Sequence, residues 1–186
     1  MKKLPFIILL LLTKFTFAQK DTVGLHIPYS EGSVVYERVF AANGKSKDQL
    51  YSNAKLWFIN HYNNSREILS QDSTVGRVVG KGKETIQFKG PLSVIVPFDD
   101  RMTIQIDVKD NRYRCRMYNM TLSTQETDKK DRTVATPEEL VNTLTGKGNT
   151  SALNKSQARR MLESLNTTID AAMASLNKTM NDDDDF

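Results

Sequence analysis

The sequence predicts an α+β domain built on one twisted antiparallel sheet of about five strands, with helices packed on one face and the other face exposed. Three observations predict it. Arg101 to Lys109 alternate strictly, Met102, Ile104, Ile106 and Val108 interleaving with polar side chains, which is the period of a half-buried strand. Leu50, Ala54, Trp57, Phe58 and His61 recur at helical spacing, as do Ala158, Leu162, Leu165, Ile169, Ala172, Met173 and Leu176. The order along the chain is strand, helix, four strands, a polar stretch and a long helix, and 186 residues give room for one domain.

Residues 1–18 are set aside from the fold. Met1, Lys2 and Lys3 precede a short apolar run from Leu4 to Leu12, and Thr16, Phe17 and Ala18 end in a small residue, so the segment reads as a signal peptide cleaved after Ala18. The run is about half the roughly 20 residues a spanning helix needs, so no transmembrane span is expected after cleavage; an uncleaved anchor is the other reading. The mature protein is then periplasmic or secreted. The full chain carries 26 Lys and Arg against 22 Asp and Glu; losing Lys2, Lys3 and Lys14 leaves 23 against 22, a net of +1. That balance has no global pull on nucleic acid, and no nucleic-acid partner is expected. A single Cys forms no internal disulfide, so stability has to come from a packed core.

Residues 19–32, with Gly24, Pro28 and Gly32, read as an extended lead-in. Ser33 to Phe40 is rich in β-branched and aromatic residues and ends at Asn43-Gly44, a strand and a turn. Ser46 and Gln49 have the spacing of a capping box, which starts a helix running to His61 or Tyr62; Asn63-Asn64-Ser65 ends it. Arg66 to Asp72 and Val75 to Phe88 read as strands joined at Asp72-Ser73-Thr74. Gly76, Gly80 and Gly82 share one phase of the second strand, leaving room for a ring from the helix, with Trp57 or Phe58 as candidates.

Asp110-Asn111 predicts a two-residue hairpin that sets Lys109 opposite Arg112, Val108 opposite Tyr113, Ile106 opposite Cys115 and Ile104 opposite Met117. Residues 123–152 form a polar linker holding a short helix from Thr136, as cap, with Pro137 in the first turn and a stop at Gly146. An amphipathic helix follows over 153–178. It is expected to pack back on the sheet, since one short helix would leave a large apolar patch in water; pairing with another molecule is the alternative. Residues 179–186 form an acidic tail that repels itself and stays solvated.

The segments Ser46 to Tyr51, Ala54 to Phe58, Val78 to Gly82 and Val108 to Arg114, in this order of elements, resemble bacterial domain-of-unknown-function family number 4468. The likeness spans about Val34 to Leu122 and implies a TBP-like arrangement of the sheet. Asn111 stands where the family pattern expects Gly, and Asn also tolerates positive φ. The family brings no activity with it, and sharing a fold with a DNA-binding saddle is analogy alone.

The search for chemistry excludes more than it finds. Gly76 to Lys83 departs from a phosphate loop, with three residues between Gly76 and Gly80 and Gly82 where Ser or Thr should follow the Lys. His26 and His61 have no second ligand at metal spacing, and His61 reads as a helix-end residue favoured by the carbonyl dipoles. Cys115 faces inward, where a thiol is inert; a reactive thiol or an intermolecular disulfide is the alternative. Asp99-Asp100 reads as a turn and Glu138-Glu139 as a first helical turn. No serine has an evident His and acid partner, and no catalytic residue, metal or cofactor is assigned.

The best functional candidate is the open sheet face carrying Arg77, Lys81, Lys83, Lys109, Arg112, Arg114 and Arg116, with Tyr118 beside them and Asp107 as the near counter-charge. Such a face suits an anionic partner, either a protein or an anionic component of the envelope; the plainer reading is an ordinary solvated face. The register of Val75 to Lys83 leaves open whether its lysines share that side. The expectation is a non-enzymatic periplasmic or envelope-associated binding module. An accessory subunit of an envelope complex is the alternative, and a small hydrolase with residues scattered in sequence is a further one.

Overall fold

In the computed structural model, which describes residues 24–62, 68–89, 95–124, 133–147 and 153–182, the alternation of β6 (Ile95–Lys109) is answered by its two neighbours. β5 (Arg77–Lys89) and β7 (Arg112–Thr124) pair antiparallel on either side of it. β4 (Ile68–Asp72) extends the sheet beyond β5 and β3 (Tyr36–Ala41) beyond β7, giving the order β3-β7-β6-β5-β4. A short strand, β8 (Thr133–Ala135), pairs with the end of β7 and makes a six-stranded sheet rather than one of about five. Of the strand expected from Arg66, the described part is Ile68–Asp72, residues 66–67 lying outside the described residues; the strand expected from Val75 begins at Arg77, because Gly76 is taken up by the turn. Gly76 has φ +73 and accepts from the Val108 N–H, and a Cβ there would lie 2.7 Å from the Val108 carbonyl.

The hairpin has the expected register at all four pairs. Asn111 takes φ 62 and also does work that Gly cannot: its Oδ1 accepts from Gly44 N–H at 2.8 Å. Asp110 Oδ1 accepts from Lys47 N–H at 2.7 Å, which satisfies a free donor in the first turn of α1 (Lys47–Tyr62). The turn is thereby pinned to the helix start. The capping box is present, with Ser46 N–H donating to Gln49 Oε1 and Gln49 N–H to Ser46 Oγ. Further along β7, Asn119 at φ 53 forms a bulge: Tyr118 opposes Thr103 while Thr121 opposes Arg101. The bulge reverses the phase, so Tyr113, Cys115 and Met117 face inward before it and Met120 and Leu122 after it.

α1, α2 (Pro137–Thr145) and α3 (Lys155–Asn181) cover the inward face. α1 buries Leu50, Ala54, Trp57 and Phe58, the stripe read from its spacing. α3 packs back on the sheet and contributes Ala158, Met161, Leu162, Leu165, Ile169, Ala172, Met173, Leu176 and Met180 to the core. Its start is set by a capping box between Asn154 and Gln157. α2 starts at Thr136 and ends at Gly146 in the left-handed conformation. The ring that meets Gly82 is neither Trp57 nor Phe58 but Tyr62, one helical turn on: a Cβ at Gly82 would lie 2.7 Å from its Oη.

The lead-in is more ordered than its composition suggests. β1 (Tyr29–Ser30) and β2 (Ser33–Val34) form a ribbon, Ile27 and Val34 are buried, and Val34 N–H donates to Glu138 Oε1 at 2.8 Å. Two apolar anchors seven residues apart are too few to show a period. The signal peptide over 1–18, the helix stop at 63–65 and residues 183–186 of the expected tail lie outside the described residues, whereas Thr179 to Asn181, expected in that tail, belong to the last turn of α3. None of the described helices is long and apolar enough to cross a membrane.

Candidate functional site

Cross-strand pairing decides which charges share the outer face. Arg77, Lys81 and Lys83 of β5 sit opposite Asp107, Thr103 and Arg101 of β6, and Lys109, Asp107, Gln105 and Thr103 sit opposite Arg112, Arg114, Arg116 and Tyr118 of β7. Glu37, Val39 and Ala41 of β3 stand opposite Arg116, Arg114 and Arg112. Every residue of the candidate face therefore lies on the side away from the helices, including the lysines of β5 whose register the sequence leaves open.

Much of that charge is neutralised within the sheet. Asp107 receives Arg77 Nε at 2.5 Å, Arg114 Nη2 at 2.8 Å and Gln105 Nε2 at 2.8 Å. Partial burial alone would raise its carboxyl, but the bonds from Arg77, Arg114 and Gln105 outweigh it and hold the group below the usual carboxylate range. The bond to Asp107 in turn reinforces the charged form of Arg114. Glu37 lies 3.0 Å from Arg116 Nε and 3.8 Å from Arg114 Nη1. Arg116 also lies over the Tyr118 ring, 5.5 Å from its centroid. Lys83 pairs with Asp99 at 3.2 Å, and Lys81 Nζ donates to Thr103 Oγ1 at 2.9 Å. The side chains of Lys109 and Arg112, at the hairpin end, have no ion pair or hydrogen bond among the described residues. They line a concavity of about 300 Å³ with Val39, Asp107, Tyr113 and Arg114. A larger one of about 580 Å³ opens at the Asn119 bulge, lined by Lys81, Lys83, Arg101 and Thr121.

A second polar group lies on the opposite, helix-covered face, and the sequence reading missed it. Trp57 Nε1 donates to Ser175 Oγ at 3.3 Å, Ser175 Oγ lies 3.2 Å from His61 Nδ1, and His61 Nε2 lies 2.9 Å from Glu84 Oε1, which also accepts from Tyr62 Oη at 3.0 Å. With His61 neutral and protonated on Nε2, one run of donors passes from Trp57 through Ser175 and His61 to Glu84. The run ties α1, β5 and α3 together. Beside it, Asp100 pairs across the strands with Glu84. Asp100 is fully buried, and neither carboxyl oxygen has a hydrogen-bond partner. Burial, with Glu84 adding to it, pushes Asp100 up to about 7; burial likewise pushes the Tyr62 phenol well above its usual value, so it stays a donor.

Asp99-Asp100 is thus not a turn but two successive positions of β6, one facing each way. His61 does end its helix as expected, but with specific partners. One signal in the sequence pointed here: Glu84 and Asp100 are acidic residues on the inward phase of their strands, among Gly82, Ile86, Phe98 and Met102. Cys115 is buried, and burial pushes its thiol up to about 12. Among the described residues, no three His, Cys, Asp or Glu side chains gather closely enough to hold a metal ion.

Residues 36–123 match the family described as a domain of unknown function, DUF4468, with TBP-like fold. Two solved structures resemble the whole arrangement. A DUF4468 family protein from Bacteroides ovatus is 20% identical with a TM-score of 0.59, over 88% of this chain and 95% of that one. A TBP-like protein from Parabacteroides distasonis is 13% identical with a TM-score of 0.59, over 81% of this chain and 97% of that one. At these identities the likeness is one of fold. No curated protein matches the chain.

Proposed function

We propose that this chain, whose residues 36–123 form a DUF4468 domain of TBP-like fold, is a non-enzymatic binding module of the periplasm or the secreted space. It holds an anionic partner, a protein or an anionic envelope component, on the open face of its sheet. The observation that carries the reading is the uneven pairing of that face. Arg77, Arg114 and Arg116 are held by Asp107 and Glu37, whereas the side chains of Lys109 and Arg112 border the same concavity and form no ion pair among the described residues. Unmatched cations on a rigid strand end are where an anion gains most.

The test is photo-crosslinking in the native envelope from a probe at position 112, with one at the exposed Lys155 as control. A single partner captured from position 112 and lost on Lys109→Glu supports the reading; equal, diffuse labelling from both positions overturns it. Capture of one envelope protein at fixed stoichiometry would make the module an accessory subunit.

A hydrolase is the second reading, and the Ser175, His61 and Glu84 run is the observation in its favour. Against it, Ser175 Oγ already accepts from Trp57, and none of the concavities described above is lined by these residues. A serine-directed phosphonate that labels the protein, but not Ser175→Ala, would establish it; no labelling removes it.

A further inference from the structure

We propose that Asp100, beside Glu84, acts as a proton-operated latch on α3: with the Asp100 carboxyl protonated, α3 and α1 are clamped to the sheet, and loss of that proton loosens α3. The first support is geometric. The two residues are direct cross-strand partners on the helix-covered face, where side chains opposite one another stand about 5 Å apart at Cβ. Asp100 has no protein hydrogen-bond partner for either oxygen, and its side chain is fully buried. A carboxylate in that position is strongly disfavoured, and two side by side more so.

The second support is connectivity. Glu84 accepts from His61 and Tyr62 of α1, and His61 meets Ser175 of α3. A charge appearing on Asp100 therefore pushes on the one acidic side chain through which His61 is tied to the sheet. Displacing Glu84 releases His61, and with it the hold on Ser175.

Titratable and polar groups around the pair come from α1, β3, β7 and α3, the buried Cys115 of β7 among them, which acts on Tyr62. α1 brings His61 and Tyr62, and β3 brings Tyr36, whose phenol Asp100 helps to keep protonated. β7 brings the apolar Leu122 opposite Asp100. From α3 come the uncharged Asn166, bonded to Tyr36, and Ser175, while Asp170 acts on Tyr36. None of these groups carries a fixed positive charge that could compensate a second negative charge. Burial pushes Asp100 up to about 7, which places the change near neutral pH.

The test is amide hydrogen exchange on the full chain at about pH 6 and pH 8.5, with rates corrected for the intrinsic pH effect. The expected result is a fall in protection of at least about tenfold in peptides from α3 at the higher pH, larger than in the β6–β7 hairpin, and abolished in Asp100→Asn. Equal protection of α3 at both pH values, or the same fall in Asp100→Asn, overturns the latch. Should that variant fail to fold, the carboxyl ¹³C shift of Asp100 in the unaltered protein decides: protonated at about pH 6 supports the proposal, ionised at about pH 5 overturns it.

Discussion

Gly82→Ala should destabilise the protein by overpacking, and the share owed to Tyr62 can be isolated. An alanine Cβ would sit 2.6 Å from Ile104 Cδ1, 2.7 Å from Tyr62 Oη and 3.0 Å from Tyr62 Cζ. Ile104 presents a terminal methyl that can turn aside. Tyr62 has less freedom, because its hydroxyl donates to Glu84 at 3.0 Å and its ring stands edge-on to Trp57 and His61 at 5.5 and 4.7 Å. Overpacking of this kind costs about 1–3 kcal/mol, while replacing Gly in a strand returns about 0.5–1 kcal/mol of backbone entropy. The net expectation is a loss of about 1–2 kcal/mol.

Tyr62→Phe alone should cost about 1 kcal/mol for the bond to Glu84. In the Gly82→Ala background it also removes the Tyr62 oxygen that lies 2.7 Å from the new Cβ. The double variant should therefore be less destabilised than the sum of the two by about 1 kcal/mol, a coupling large enough to resolve. Urea titration followed by the fluorescence of Trp57, the only tryptophan, measures all four proteins. A neutral or stabilising Gly82→Ala, or strict additivity in the cycle, would refute the reasoning.

Four further outcomes follow from named contacts. Asp100 is ordinarily near 3.8 and is pushed up to about 7 by burial, so between those values the folded state holds a proton the unfolded state has released. Its contribution to stability therefore falls as pH rises from about 4 to 7, by about 4 kcal/mol at 1.36 kcal/mol per pH unit; urea titrations across that range should show the fall, and Asp100→Asn should flatten it. Removing residues after Ala152 deletes nine buried apolar side chains of α3 and should give an unfolded or aggregated product, whereas a soluble truncated monomer by size-exclusion chromatography contradicts the packing. Cys115 should react with a thiol reagent no faster than the protein unfolds, and rapid labelling of the native chain would place it elsewhere. Arg114→Ala, which strips two bonds from Asp107, should cost up to about 1 kcal/mol in denaturation, while Arg112→Ala should leave stability unchanged and lower partner capture.

The fold was legible where a single element carries its own pattern. The alternation of Met102 to Val108 fixed the inward face of β6, the Asp110-Asn111 turn fixed the register of β7, and Ser46 with Gln49 fixed the start of α1. What the sequence left obscure depends on residues distant from one another. β8 has three residues and too little length for a period, and the β1–β2 ribbon is held by Glu138, over a hundred positions away. The cations of β7 were legible on the candidate face because the hairpin sets β7 in phase with β6, whereas the side taken by Arg77, Lys81 and Lys83 was decided only by the pairing of β5 with β6. The neutralisation of the face was not legible, since Glu37 reaches Arg116 only because β3 pairs with β7. The Ser175, His61 and Glu84 run joins three elements with no spacing in common, and only the acidic side chains on the inward phases of β5 and β6 announced it.

Counting cations along strands overstates the pull of a sheet face, because pairing across strands decides how much charge is left. Asp107 lies in the middle strand and serves a guanidinium on each side, Arg77 from β5 and Arg114 from β7. The centre of the face is in this way close to self-sufficient. At the hairpin end the ladder stops, so Lys109 and Arg112 have neighbours on fewer sides, and the one acidic residue between them, Asp110, is committed to the start of α1. That commitment, with the bonds of Asn111 to Gly44 and Lys45, makes the turn rigid. Two uncompensated cations on a rigid support lose little freedom when an anion arrives, whereas Arg114 or Arg77 would first have to give up Asp107. Binding strength on this face should therefore be concentrated at the hairpin end rather than spread over its cations.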